Sequence, residues 1–180
     1  MTFAWYALAK NPHVLERLHH EIDKVVGKGA LTTEQLRQLP YALQIIKEVL
    51  RLYPPAPMYA RDAIVDDNVM GYDIPAGAAI LLPSYFTHRH PQFWDKPDEF
   101  DPDRWTREKE SARHTYAYHP FATGQRICIG NNFSLLESHI LLVMLAQRFT
   151  PKLRPGFVAQ WAIKGTLGIA NGLPMTITPR

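Results

Sequence analysis

Apolar residues recur at helical spacing in three long stretches of the chain. The first stretch begins at Pro12, directly after the capping residue Asn11, and continues until two glycines end it at positions 27 and 29. The second predicts a helix over about 39–53, which Pro54-Pro55 ends. The third, 131–148, is nearly continuous in its apolar residues, and this predicts a helix that is buried on most sides. Two shorter helices are expected at 1–10 and 32–38.

Short apolar or alternating segments between turn residues predict strands. Three of them follow the second helix, at Ala63–Val65, Val69–Tyr72 and Ala78–Leu82. Near the end of the chain, 165–170 and 175–178 flank Asn171-Gly172 and are typical of a hairpin. Between 90 and 113 no period is visible, but recurring aromatic residues favour an ordered, irregular loop. The pattern therefore predicts a mainly α protein with small antiparallel β-sheets, an α+β fold.

Composition narrows the class of protein. The chain has 180 residues, of which 46% are hydrophobic and 21% charged, and this is enough to bury a core. A net charge of +3 is too small to indicate nucleic-acid binding, although a modest basic patch for an acidic partner protein stays open. The apolar stretch at the start of the sequence is interrupted by Pro12 and charged side chains and is too short to span a membrane. It also lacks a signal-peptide pattern, so we expect a cytoplasmic protein.

Cys128 is the only cysteine, which excludes an internal disulfide and any cluster held by several thiolates. It lies between Gly124 and Gly130, just before the third helix. Gly124 permits a turn with positive φ, and Gly130 permits close approach of the backbone to a bulky flat ligand. The positive end of the helix dipole favours an anionic thiolate, and Arg126 could meet an anionic group. A small buried hydrophobic cysteine is the equally weighted alternative.

The segment FATGQRICIG, residues 121–130, resembles the FxxGxRxCxG signature of cytochromes P450 at every fixed position. The resemblance implies that Cys128 is the axial thiolate ligand of the iron of a b-type haem. It further implies that Phe121 packs near the sulfur, that Arg126 meets a haem propionate, and that Gly130 belongs to the cofactor site. A thiolate ligand favours O–O bond cleavage in such proteins.

A second motif supports this resemblance. Glu48 and Arg51 share one face of the predicted second helix, a spacing that by itself is typical of solvated surface pairs. The order of this helix, a strand, the aromatic loop with Pro102–Trp105 and the cysteine loop is similar to that of the family. There, Glu48, Arg51 and Arg104 would form a structural triad that fixes the helix to the loop. Arg61 matches a position that meets a haem propionate, with an exposed strand-end charge as its alternative.

The resemblance also implies which residues face the substrate: Pro57, Met58 and Tyr59 after the second helix, and Thr166 with Leu167 at the hairpin tip. These residues are mostly apolar, which suits a lipophilic small molecule. Histidines 88, 90, 114 and 119 have no zinc-site spacing and are interpreted as surface or loop residues.

The activity implied is that of a haem-thiolate monooxygenase, which uses O2 and electrons from a redox protein to insert one oxygen atom into an organic substrate. Residues 1–180 are expected to form the C-terminal, proximal portion of a single domain, without the N-terminal and distal helices. The distal acid-threonine pair would then be absent, and no catalytic residue is expected in this chain. Two alternatives stay open: a truncated haem-binding fragment without turnover, and a cysteine hydrolase in which His119 or His114 serves Cys128 as base.

Overall fold

A computed structural model describes residues 1–180. Seven helices are present: α1 (Thr2–Lys10), α2 (Pro12–Val25), α3 (Thr33–Leu36), α4 (Pro40–Leu52), α5 (Ser84–Thr87), α6 (Arg107–Ala112) and α7 (Asn131–Arg148). Three 3-10 turns lie at Pro102–Trp105, Thr115–Ala117 and Gly124–Arg126. The long helices begin and end close to the predicted positions because prolines stand at the first position of α2 and α4.

Eight short strands form four antiparallel pairs. They are β1 (Tyr59–Asp62), β2 (Asp67–Val69), β3 (Tyr72–Ile74), β4 (Ala79–Leu82), β5 (Phe149–Leu153), β6 (Trp161–Lys164), β7 (Thr166–Ile169) and β8 (Met175–Pro179). The pairs are β1 with β4, β2 with β3, β5 with β8, and β6 with β7. The predicted mainly α fold with small antiparallel sheets is confirmed.

Three details of the strand prediction were wrong. The first strand ends at Asp62, so Ala63–Val65 lies outside it. The segment Val69–Tyr72 is a tight turn in which Met70 and Gly71 both have positive φ, and it joins β2 to β3. The two strands that flank Asn171-Gly172 do not pair with each other, since β7 pairs with β6 and β8 pairs with β5.

The core lies between α1, α2, α4 and α7. Apolar side chains at helical spacing on α2, among them Leu18 and Ile22, are fully buried against α4 and α7. Burying one such side chain contributes roughly 1.5–3 kcal/mol. The buried faces of these four helices thus form one continuous core.

Helix α7 differs from the prediction in its burial. It has the predicted length, but only four of its residues are buried: His139, Leu142, Val143 and Ala146. Large apolar side chains on its other faces are exposed, namely Phe133, Leu136, Leu141, Met144 and Leu145. The expected burial on most sides is wrong because α2 and α4 cover only one face of the helix.

The segment between His90 and Arg113 is ordered, as predicted, and carries one 3-10 turn and α6. Its fold rests on a second, small cluster in which Trp94 and Trp105 are buried beside Ala117. No helix of the protein combines the length and the apolarity that a membrane span requires.

Candidate functional site

Cys128 lies in a tight loop that connects the 3-10 turn at Gly124–Arg126 to the start of α7. Its amide donates to the carbonyl of Phe121 over 2.9 Å, and its carbonyl accepts from the amide of Asn131 over 3.2 Å. Gly124 has φ +71°, the positive value that the sequence predicted, and a side chain there would be strained. The backbone thus holds Cys128 from both sides, and its thiol is exposed. The alternative of a buried hydrophobic cysteine is therefore wrong.

The surface around Cys128 is amphipathic. Ile127 and Ile129 flank the thiol and are exposed, with Ile129 fully so. Arg126 is exposed on the same loop and makes no hydrogen bond or ion pair. Gly130 has an ordinary negative φ, and a Cβ at this position would meet the Cys128 sulfur at 3.7 Å. A Cβ here would therefore lie in van der Waals contact with the thiol and would not strain the backbone.

Arg61 connects β1 to the cysteine loop. Its guanidinium lies 5.0 Å from the centre of the Tyr59 ring, and one of its nitrogens is 3.5 Å from the carbonyl oxygen of Thr123. It forms no salt bridge, so its charge has no carboxylate partner in the chain. The expectation of an anionic partner for Arg61 is compatible with this position.

The residues at the loop fit a haem. No group of three or more His, Cys, Asp or Glu side chains could hold a metal ion, so Cys128 does not belong to a metal site built from several side chains of these types. An iron that is already held by a porphyrin needs just such a single strong donor. Exposed apolar side chains beside the thiol and free guanidiniums at the loop suit an apolar ring with carboxylate substituents.

Glu48 and Arg51 form a fully buried ion pair on α4, not a solvated surface pair. Arg51 donates through Nε and Nη2 to the two carboxylate oxygens of Glu48, each over 2.8 Å. Its other donors reach the backbone carbonyls of His88, Pro97 and Glu99. All five N–H groups of the guanidinium are used, so one side chain fixes α4 to two separate loops.

The carboxylate of Glu48 has further partners from the aromatic loop. The backbone amide of Asp101 and the indole N–H of Trp105 each donate to it over 2.9 Å. Arg104 Nε lies 3.5 Å from Glu48 Oε1 but makes no hydrogen bond. The structure brings Glu48, Arg51 and Arg104 together, with Arg104 as the weakest contact. Trp105 was missed as a donor to Glu48; its position next to Arg104 was the only signal.

Two of the four histidines interpreted as surface residues are buried. His88 is fully buried and His119 is 7% exposed. Burial, helped by the neighbouring His119, lowers the pKa of His88 to about 3, and burial also lowers the pKa of His119. Both rings are therefore neutral near pH 7. The interpretation as surface residues failed because the hydrogen-bond partners of these rings are distant in sequence.

Three of the five residues expected to face the substrate line one apolar cavity of about 670 Å³, namely Pro57, Met58 and Leu167. Aromatic and aliphatic side chains of α4, α5 and β6 form most of the remaining wall, and Arg89 and Asp98 add two charged groups to it. Tyr59 and Thr166 do not line it. The Tyr59 hydroxyl lies 3.3 Å from His119 Nδ1, and Thr166 is exposed beside the turn of the β6–β7 hairpin.

No hydrogen bond joins Cys128 to a histidine. His119 Nδ1 is engaged by Tyr59, and the ring of His114 stacks on Phe93. A cysteine hydrolase requires a base within hydrogen-bond reach of the thiol, or nearly so. The hydrolase alternative has no support from this geometry.

Comparisons with known proteins identify the family. The sequence profile described as "Cytochrome P450" matches residues 1–169. Human "Cytochrome P450 4V2" is 38% identical over 151 residues, which cover 83% of this chain and 29% of that protein. "Protein LUTEIN DEFICIENT 5, chloroplastic" of Arabidopsis thaliana is 33% identical over 184 residues, which cover 100% of this chain and 31% of that protein.

The fold agrees with these sequence matches. The crystal structure of the "cytochrome P450DA heme domain" superposes with a TM-score of 0.94 at 32% identity, over 99% of this chain and 40% of that one. The chain thus spans about three-tenths of the length of the two relatives and two-fifths of the solved heme domain. Its helices and small antiparallel sheets are part of that fold.

Proposed function

The chain belongs to the cytochrome P450 family, and from that premise we propose that the protein carrying it is a haem-thiolate monooxygenase in which Cys128 would hold the haem iron through its thiolate. The observation that carries the proposal is the exposed thiol of Cys128 on a loop whose backbone is fixed on both sides of it. Residues 1–180 would form the proximal, haem-binding portion of one domain.

Each residue of the loop has a proposed task. The Cys128 sulfur donates to the iron as a thiolate, and the Phe121 carbonyl holds the Cys128 amide so that the sulfur keeps its direction. Arg61 and Arg126, which lack carboxylate partners in the chain, bind the haem propionates. When bound, the haem supplies the oxygen chemistry of the family, in which one atom of O2 enters an organic substrate with electrons from a redox protein.

The Glu48 cluster has a structural task. Its hydrogen bonds fix α4 to the aromatic loop in a fully buried position, so it does not meet substrate. We assign Glu48, Arg51 and Arg104 the role of keeping these elements together behind the cysteine loop.

A lipophilic small molecule is the proposed substrate class. The apolar cavity lined by Pro57, Met58 and Leu167 supports this class, because its wall offers a predominantly apolar surface with few polar groups. The electron donor would be a separate redox protein.

Carbon monoxide difference spectroscopy tests the proposal. The complete protein that carries this chain, loaded with haem and reduced under carbon monoxide, is expected to show a thiolate-type Soret band. Cys128→Ser should abolish this band, whereas Ser111→Ala, a change on α6, should leave it intact. A thiolate-type band that survives in Cys128→Ser would exclude Cys128 as the ligand.

Haem binding without turnover is a second candidate for residues 1–180 by themselves. Helix α1 favours it, because its sequence TFAWYALAK contains no acidic residue and therefore no acid-threonine pair. Product formation by the 180-residue chain with a redox protein would overturn this candidate. A thiolate-type band without product would support it.

A further inference from the structure

His88 makes hydrogen bonds through both of its ring nitrogens although the ring is fully buried. Nε2 lies 2.9 Å from the backbone nitrogen of His119, and Nδ1 lies 3.2 Å from the carbonyl oxygen of Arg51. A backbone amide can only donate, so Nε2 is the acceptor and the proton resides on Nδ1, which donates to Arg51. This assigns one tautomer to His88 and two fixed partners.

His119, which donates its amide to His88, begins a segment that is hydrogen-bonded to Cys128. The carbonyl of His119 accepts from the amide of Ala122 over 3.2 Å, which closes a turn. Within that turn, the carbonyl of Phe121 accepts from the amide of Cys128. The four-residue segment 119–122 is therefore attached to His88 at its start and to Cys128 at its third residue.

A second contact holds the same segment from the other side. The imidazole of His119 packs edge to face against the ring of Tyr59 in β1, and their polar atoms Nδ1 and Oη lie 3.3 Å apart. Arg51, whose carbonyl accepts the hydrogen bond of His88 Nδ1–H, also donates through Nη1 to the His88 carbonyl over 2.8 Å. Contacts with His88 and with β1 thus hold segment 119–122 in place, and Arg51 of α4 in turn holds His88.

We propose that His88 is a positioning residue for Cys128: by accepting the hydrogen bond of the His119 amide, it fixes the Phe121 carbonyl and, through it, the amide and thiol of Cys128. This inference rests on the proposed function for the role of the thiol, but the hydrogen-bonded path itself belongs to the chain. A histidine that merely filled space would not need its acceptor nitrogen aimed at a backbone amide of the cysteine segment. The neutral state that burial imposes on His88 keeps that nitrogen available.

Two substitutions of similar polarity separate the two nitrogens of His88. His88→Gln keeps an acceptor near the position of Nε2, whereas His88→Asn reaches only the position of Nδ1 and leaves the His119 amide without a partner. His139→Asn is the control, since this buried histidine of α7 bonds to the Leu39 carbonyl, outside the cysteine segment. All three are made in the complete protein that carries this chain.

Amide hydrogen exchange of Cys128 is the first measurement. We expect His88→Asn to lower the protection of this amide about fivefold, the effect of losing one hydrogen bond of roughly 1 kcal/mol, and His88→Gln to stay close to the unmutated protein. The thiolate-type fraction of the carbonyl Soret band should fall in His88→Asn in parallel. His139→Asn should lower the unfolding midpoint and leave both readouts unchanged.

Equal Cys128 protection and equal thiolate-type fraction in His88→Asn and His88→Gln would overturn the positioning role. So would a loss of the same size in His139→Asn. If His88→Asn does not fold, hydrogen exchange in His88→Gln is the deciding measurement. Loss of Cys128 amide protection in folded His88→Gln would then refute the proposal. An unmutated protein without a thiolate-type band would refute the proposed function instead, while the exchange measurement would still test the path from His88 to Cys128.

Discussion

Glu48 shows at the scale of single residues how one buried charge can fix a helix to a loop. Its carboxylate accepts from Arg51, from the Asp101 amide and from the Trp105 indole, and all of it is shielded from water. Removing the carboxylate would leave the Arg51 guanidinium buried without its counter-charge. That situation costs far more than the loss of an exposed pair.

The first prediction concerns this carboxylate. We expect Glu48→Ala to lower the free energy of unfolding by about 3–5 kcal/mol, because Arg51 stays buried and uncompensated. The matched control is Glu110→Ala, which breaks a partly exposed pair with Lys47 and should cost less than about 1 kcal/mol. Denaturant unfolding of both variants measures the difference. Similar losses in the two variants would show that the buried pair contributes little.

The sequence predicted the residues of this cluster better than their surroundings. The spacing of Glu48 and Arg51 predicts a shared helix face, and the family motif adds Arg104. Their full burial and the indole donor of Trp105 depend on a loop that folds back over α4 from more than fifty residues away. Local spacing carries no information about such a contact. The burial of His88 escaped prediction for the same reason.

At the scale of elements, helices were predicted more accurately than strands. Proline and a 3.6-residue period are local signals, and both ends of α4 follow from them within one or two residues. Strand pairing is non-local. Asn171-Gly172 has the turn chemistry of a hairpin, but β8 finds its partner in β5, before the β6–β7 hairpin. The prediction of a turn at Asn171-Gly172 was correct, but the two strands that flank this turn do not pair with each other.

The β2–β3 hairpin allows a prediction at this scale. Its two-residue turn consists of Met70 and Gly71, both with positive φ, and the Met70 side chain is 94% exposed. Positive φ strains methionine, whereas asparagine tolerates it and is favoured before glycine in such turns. We expect Met70→Asn to raise the free energy of unfolding by about 0.5–1 kcal/mol, since no packing is lost.

Met70→Ala serves as the control, because it removes the same exposed side chain but keeps the strain. Thermal or denaturant unfolding compares the three proteins. If Met70→Ala stabilises as much as Met70→Asn, the gain comes from removing an exposed apolar side chain and the strain argument is wrong.

The whole molecule presents an uneven surface. One face of α7 is in the core, while another exposes Phe133 and Leu136 to 70% and 51%. Soluble proteins rarely leave a large contiguous apolar patch uncovered. The apolar run of α7 indicated burial correctly for the face that meets α2 and α4. The apolar run could not indicate that the other faces of the helix are exposed in this chain.

A pair of substitutions on α7 tests this surface in the 180-residue chain. We expect Leu136→Lys to change the free energy of unfolding by less than about 0.5 kcal/mol and to weaken both ANS fluorescence and aggregation. Leu142→Lys, on the buried face of the same helix, should unfold the chain, because an unpaired charge would enter the core. A stability loss in Leu136→Lys that matches Leu142→Lys would mean that the exposed face is in fact covered.

The acid stability of the whole molecule follows from three buried histidines and the half-buried His19. Burial lowers the pKa of all four below the ordinary value of 6.5: His19, His88, His119 and His139. Below pH 6.5 the unfolded chain takes up protons that the folded chain does not, so stability is complete above this pH and is lost as the pH falls. Burial raises the pKa of Glu21, and this opposes the loss of stability in acid. A single carboxyl group does not offset four histidines, so the net effect of acid is destabilising.

We therefore expect the free energy of unfolding to fall steadily between pH 6.5 and pH 4.5. His88, whose pKa is lowered to about 3, alone accounts for a loss on the order of 2 kcal/mol at pH 5. Denaturant unfolding at a series of pH values measures the slope. His88→Gln cannot be protonated and should make the slope shallower, whereas His13→Gln, at an exposed site on α2, should leave it unchanged. Equal slopes in these two variants would show that acid destabilises the protein through other groups.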